Sequence, residues 1–476
     1  MDILRNIDFT QNPPHISVVN STTLWEKVMY YKYLQITLVA LLLGSTAKLM
    51  AGEVHEFTLD NGLQLIVKED HRAPVVVSQI WYKVGASYEE AGKTGLSHML
   101  EHMMFKGTEK YPPGEFSRIM AANGASDNAF TGTDYTAYFQ TLEKSRLHIS
   151  FEMEADRMRH LVLTEKEFAK ERQVVTEERR RSTEDKPISQ TNEHFMATAY
   201  QTSPYHNPII GWMSDIQNYT LADLKAWYQR WYAPNNATVV VVGDVEPQAV
   251  LALAKQHFGP LKPSQITPPS PRPEVEQFGL KRITIKLPAK LSYLAMGYKV
   301  PALKTIAKEE QWEVYALEVL AYILDGGDSA RLSKNLVRGQ QIATTASAGY
   351  DPFSRLTDLF TFSGIPTNAH TVPELEKALR EQIQQLQTTL VDKAELERVK
   401  TQLRASQVYE LDSVFYQGMK IGLLETVGLD WRIFDTYLEN LKAVTAEQVQ
   451  AVARKYLIDK NLTIAVLDPQ PLATNQ

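Results

Sequence analysis

A helix-turn-strand pattern near residue 220 returns near residue 445, and that duplication narrows the folds open to the chain. Thr220-Leu221-Ala222-Asp223-Leu224 runs through Trp231-Tyr232 to Asn236 and the apolar run Ala237 to Val242, ending at Gly243-Asp244. Thr445-Ala446-Glu447-Gln448-Val449 runs through Lys455-Tyr456 to Asn461 and the apolar run Leu462 to Leu467, ending at Asp468. Each copy reads as a helix, a short polar turn containing Asn, and a buried strand. Tyr82-Lys83-Val84 likewise returns as Tyr298-Lys299-Val300. Self-similarity on this scale points to two halves of similar fold.

Between the copies the composition changes. Pro260, Pro263, Pro268, Pro269, Pro271 and Pro273 crowd a stretch that can continue neither a helix nor a central strand, so residues 263–280 read as a linker. Ahead of it, Val54 to Lys68 reads as two strands around the turn Asp60-Asn61-Gly62, and Val75 to Val84 as a third. Helical patterns cover Leu96 to Phe105, a long stretch reaching Met158, and Glu165 to Ser182. The expectation is an α/β protein with a first half at 52–262 and a second at 281–470.

The 476 residues contain no cysteine. Disulfides, thiol catalysis and thiolate metal sites are therefore excluded, and any metal must be held by His, Asp or Glu. A net charge of −6 gives no electrostatic case for nucleic acid as a partner. Near the N-terminus, Lys27 and Lys32 precede the apolar run Leu34 to Leu43, followed by Gly44, Ser45, Thr46 and Ala47. That is the layout of a secretory signal peptide, so 1–51 reads as an N-terminal extension and signal peptide cut after Ala47 or Ala51. The run is short for a mature membrane span. The expected location is the periplasm, with an inner-membrane tether if the segment stays uncleaved.

The chemistry concentrates in His98-Met99-Leu100-Glu101-His102. Histidines four apart on a helix share a face and converge on a point beside it. Zinc takes imidazole nitrogens, and a catalytic site offers three protein ligands with a fourth position open. Glu101 stays near that face, where a carboxylate can accept a proton from bound water and return it to a leaving amine. The order H-x-x-E-H is the inverted zinc-peptidase pattern. Glu171 and Glu178, two helical turns apart in Glu171-Arg172-Gln173-Val174-Val175-Thr176-Glu177-Glu178, share another face. Glu178 is the expected third ligand and Glu171 an accompanying catalytic carboxylate, behind a ligand or near the substrate amine. Glu177 points about 100° away from Glu178, and Arg179, Arg180 and Arg181 read as a solvated charged face.

These segments resemble the pitrilysin/insulinase family of metallopeptidases. The stretch Gly95 to Thr108 resembles the family's zinc segment, and Glu171 to Glu178 its third-ligand helix. Asn128-Ala129-Phe130-Thr131 resembles its substrate-binding edge strand. Tyr205 to Gly211, Trp231 to Ala237 and Gly327 to Leu332 match further landmarks. The resemblance implies two α+β sandwich halves, each an antiparallel-rich sheet with helices, enclosing a chamber. It also implies one Zn2+ per chain on His98, His102 and Glu178, Glu101 as base, and a peptide lying along Asn128, Ala129 and Phe130. The second half carries no zinc residues, since its helix reads Leu317-Glu318-Val319-Leu320-Ala321-Tyr322. There is one departure. Where active single-chain members carry an Arg and, seven residues on, a Tyr that grip the substrate backbone, this chain has Val337 and Thr344. Arg338 is one residue off. The implied arrangement is a zinc-bearing endopeptidase subunit completed by a homologous partner chain, in a heterodimer or homodimer. A non-catalytic structural or peptide-binding subunit of the same fold is the alternative.

Overall fold

The computed structural model describes residues 52–472 apart from Pro268, Ser270 and Pro271. The expected signal peptide therefore lies outside the described residues. Six strands form one sheet: β1 (Val54–Thr58), β2 (Gln64–Glu69), β3 (Val75–Tyr82), β4 (Ser126–Thr131), β5 (Thr136–Glu143) and β6 (Ala237–Gly243), in the order β1-β2-β6-β3-β5-β4. Five form another: β7 (Lys281–Pro288), β8 (Tyr293–Val300), β9 (Ala343–Gly349), β10 (Asp358–Pro366) and β11 (Leu462–Gln470), in the order β7-β11-β8-β10-β9. Without β1 the two orders correspond strand for strand. Each has one parallel pair, β2 with β6 and β7 with β11, and three antiparallel ladders. The repeated tyrosines keep the same register: Tyr82 faces Ala237, and Tyr298 faces Leu462.

The repeat has a local cause. The Thr220 and Thr445 side chains cap helices Leu221–Trp231 and Ala446–Tyr456, each in a reciprocal capping box with the residue three further on. At the other end the Asn236 amide donates to the Trp231 carbonyl (3.0 Å) and the Asn461 amide to that of Tyr456 (3.1 Å). The conserved spacing within each copy thus fixes where the helix starts and how the chain turns into the central strand.

That strand is mostly apolar because both faces are covered. In β6, Val239 and Val241 pack toward the first half's own helices, while Val240 and Val242 face helix Val414–Val427, which comes from the second half. In β8, Leu294 and Met296 face the second half's own helices, while Tyr293 and Ala295 meet Phe195 of helix Pro187–Ala199, from the first half. Each half therefore lends a helix to the other's sheet, and from Glu53 onward the chain forms one compact unit. Glycines allow the close approach. A Cβ at Gly422 would lie 2.1 Å from Trp81 Nε1, and one at Gly297 would lie 2.6 Å from the Phe195 ring. A buried polar contact adds to the join: Arg355 Nε donates to Asp134 (2.9 Å), which also accepts from Ser87 Oγ (2.6 Å).

Candidate metal centre

Helix Leu96–Met103 turns Leu96, Met99, Leu100 and Met103 into the core, which leaves His98, Glu101 and His102 off that core face, with His98 and Glu101 lining a cleft. Its start is held on two sides. The buried Glu89 carboxylate accepts the Gly95 and Ser97 N–H groups (2.6 and 2.7 Å), satisfying donors that a first turn leaves unpaired. Burial lifts the Glu89 carboxyl to about 8. Gly95 adopts φ 87° against the carbonyl of Ile210, and Gly211 adopts φ 87° against that of Thr94. Any side chain at either position would strain the backbone and meet a main-chain oxygen.

Helix Glu165–Arg179 is capped by Thr164 and buries Phe168, Glu171, Val175 and Arg179 along one stripe. Arg179 is not part of a solvated face, contrary to the reading of the Arg179–Arg181 run. It is buried, donates to both Glu193 oxygens (2.8 and 2.9 Å), and donates to the Gly211 carbonyl (2.7 Å). The loop that abuts Gly95 is thereby tied to the helix carrying Glu178, so one guanidinium sets the two helices against each other. Arg180 pairs with Glu177.

The structure brings His98, His102 and Glu178 together, with one donor atom from each within 4.8 Å of the others. Both imidazole Nε2 atoms face the Glu178 carboxylate, at 3.6 Å from His98 and 3.3 Å from His102. Ligands bound about 2.1 Å from a tetrahedral ion sit about 3.4 Å apart, so the donor set fits zinc in kind and in spacing. Of the two places expected for Glu171, behind a ligand or near the substrate amine, the structure gives the first. Its carboxylate is buried, accepts from His102 Nδ1 (3.2 Å) and pairs with Lys106 (2.5 Å). It sits behind the ligand, does not line the cleft over the metal donors, and orients the ring so that Nε2 stays available.

Burial, followed by repulsion from His102, lowers the His98 imidazole to about 4, which keeps it neutral and able to bind metal. Burial also works against charge on His102, but its hydrogen bonds to Glu178 and Glu171 outweigh that and raise it. The same bond from His102 holds Glu178 below the usual carboxylate range. Burial raises Glu101. One Glu101 oxygen accepts from Thr131 Oγ1 at 2.5 Å, and the other has no hydrogen-bond partner among the described residues.

A cleft of about 490 Å³ lies over these groups. Ala129, Phe130 and Thr131 of β4 form one wall, and Pro208, Ile209 and Ile210 form another. β4 is the sheet's last strand, paired among the described residues with β5 alone. Asn128 is exposed on that strand outside the cleft, and its side chain bonds the Ala129 N–H (2.9 Å). Among the described residues, every one lining the cleft belongs to the first half. Val337 packs on the second half's core, Arg338 donates to the Asp328 carbonyl, and Thr344 is exposed on the edge strand β9.

Two family models match the chain: "Insulinase (Peptidase family M16)" over residues 64–212 and "Peptidase M16 inactive domain" over 218–403. The chain belongs to peptidase family M16, the insulinase family. It is 37% identical to "Zinc protease PqqE" of Helicobacter pylori over 364 residues, which cover 75% of this chain and 80% of that protein. The crystal structure of a protease from Helicobacter pylori superposes with a TM-score of 0.83 at 33% identity, covering 88% of this chain and all of that one. The periplasmic protease PqqL from Escherichia coli aligns with a TM-score of 0.74 at 19% identity, and the match covers 88% of this chain but 48% of PqqL. The expected family and two-sheet α/β fold both hold.

Proposed function

We propose that this protein is a zinc endopeptidase that hydrolyses short or unfolded polypeptides. One observation carries the reading: three zinc-type donors converge beside a half-buried carboxylate, in a cleft walled by a sheet edge that is unpaired among the described residues. One zinc ion bound by His98, His102 and Glu178 would supply Lewis acidity to the scissile carbonyl and acidity to a water. The residues do the rest. An extended peptide adds to β4, where backbone hydrogen bonds give affinity with little demand on sequence. Glu101, raised by burial, takes a proton on its unpartnered oxygen and returns it to the leaving amine. Thr131 fixes that carboxylate through its other oxygen. Glu101→Gln should leave metal content unchanged and lower peptide hydrolysis by about 10²- to 10⁴-fold. Equal hydrolysis by the variant would refute the assignment.

The same proposal includes a homologous partner chain. No second-half residue reaches the cleft, and neither Val337 nor Thr344 can supply the grip expected of an Arg and a Tyr. The match to half of PqqL, which holds about twice this length in one chain, favours that reading. Purified alone, the chain should cleave peptides poorly and gain activity when mixed with a homologue carrying the Arg/Tyr pair. Full activity from the solitary chain excludes the partner. Export to the periplasm completes the proposal, and osmotic-shock fractionation of cells expressing the full chain tests it.

A further inference from the structure

A second concavity, about 770 Å³, adjoins the first and shares Glu178 and Ser182 with it. A peptide passing the metal donors on the side of Glu178 would enter this trough. Its walls include Lys170, Val174, Arg181 and Lys186. Most charges there are already answered. Glu178 faces the two imidazoles, Glu177 pairs with Arg180, and Lys170 lies 3.2 Å from Glu167. The Arg181 and Lys186 side chains have no ion-pair or hydrogen-bond partner among the described residues. Val174, 48% exposed, supplies an apolar patch in the same trough. Two unanswered cations beside an exposed valine, in a protein whose net charge is −6, form a local receptor for a short aliphatic stem ending in a carboxylate.

We propose that this trough is a subsite for a peptide carboxylate, bound by Arg181 and Lys186, which makes acidic polypeptides the favoured substrates. The placement rests on the peptidase reading, because the trough opens from the cleft that would hold the scissile bond. A carboxylate can come from an Asp or Glu side chain or from a chain terminus, and the test separates the two sources.

The test uses the full chain carrying Glu101→Gln, loaded with zinc, and fluorescence anisotropy with labelled unstructured peptides. One peptide contains Asp and Glu. Its twin has Asn and Gln at those positions, and each is made with a free and an amidated C-terminus. The acidic peptide should bind roughly 3- to 30-fold more tightly at low salt, the yield of two exposed ion pairs. The gap should close as ionic strength rises. Adding Arg181→Ala and Lys186→Ala should bring the ratio to about one, and Arg181→Glu with Lys186→Glu should reverse it toward a Lys-containing peptide. Both residues are exposed, so the melting temperature should not change. A preference that follows the free C-terminus assigns the subsite to the chain end. Equal affinity across all four peptides, or a preference that survives the double alanine variant, overturns the proposal. The peptidase reading is judged separately, by zinc-dependent cleavage of an uncharged peptide, and can stand when this one falls.

Discussion

Glu171→Gln should loosen the metal without removing a ligand. Glu171 is buried, 3.2 Å from His102 Nδ1 and 2.5 Å from Lys106 Nζ. The amide keeps the carboxylate's size and one acceptor oxygen, but it carries no charge. His102 then loses one of the two carboxylates that raise its basicity, the one that fixes its ring through Nδ1, and Lys106 is left without its counter-charge. Carboxylates behind a ligating histidine are worth about 10- to 100-fold in metal affinity, or about 1.4–2.7 kcal/mol. The zinc dissociation constant, read by competition with a chromophoric chelator at fixed pH, should rise within that range. Glu171→Ala should lie at its upper end, because it also opens a cavity. A Glu171→Gln affinity within twofold of the parent would refute the claim that this carboxylate acts through His102.

Three further predictions concern the frame around the site. Arg179→Ala removes the guanidinium that joins Glu193 to the Gly211 carbonyl and leaves a largely buried carboxylate unpaired. It should lower unfolding stability by about 3–5 kcal/mol in urea titration, the usual cost of breaking a buried pair. Gly422→Ala forces a methyl group against the Trp81 ring and should cost about 1–3 kcal/mol or more, seen as a lower melting temperature and easier proteolysis near residue 414. Burial lifts the Glu318 carboxyl to about 7 from an ordinary 4.5, so the folded state holds that proton more tightly than the unfolded chain. Stability therefore falls as pH rises from about 4.5 to 7 and then levels off. Glu318→Gln should gain on the parent across that window, reaching at most about 3 kcal/mol near pH 8, and a pH-independent difference would contradict this.

Much of this was legible because its causes are local. His98, Glu101 and His102 share one helical face by spacing alone, and the seven-residue interval from Glu171 to Glu178 puts both on one side of their helix. The repeat was legible because Thr220 with Asn236, and Thr445 with Asn461, start and end the same unit twice. What escaped depends on partners distant in sequence. Arg179 resembles Arg180 and Arg181 in the chain, and only Glu193 and the Gly211 carbonyl distinguish it. Glu171 could equally have faced the substrate until the fold placed it behind His102. Thr131 and Lys106 carried no signal of their contacts with Glu101 and Glu171. The exchange of helices between halves was also unreadable, since nothing in Val414–Val427 names the sheet it will cover. A small clue lay in Gly418 and Gly422, four residues apart on one face, where Gln79 and Trp81 come close.

Zinc stoichiometry by elemental analysis of the full chain, after dialysis against metal-free buffer, tests the account most directly. The parent should retain about one zinc per chain, and His98→Ala, His102→Ala and Glu178→Ala should each lose it while keeping the parent's circular dichroism spectrum. A correctly folded parent that retains no zinc, or a His98→Ala protein that still holds one, would contradict the site at its foundation.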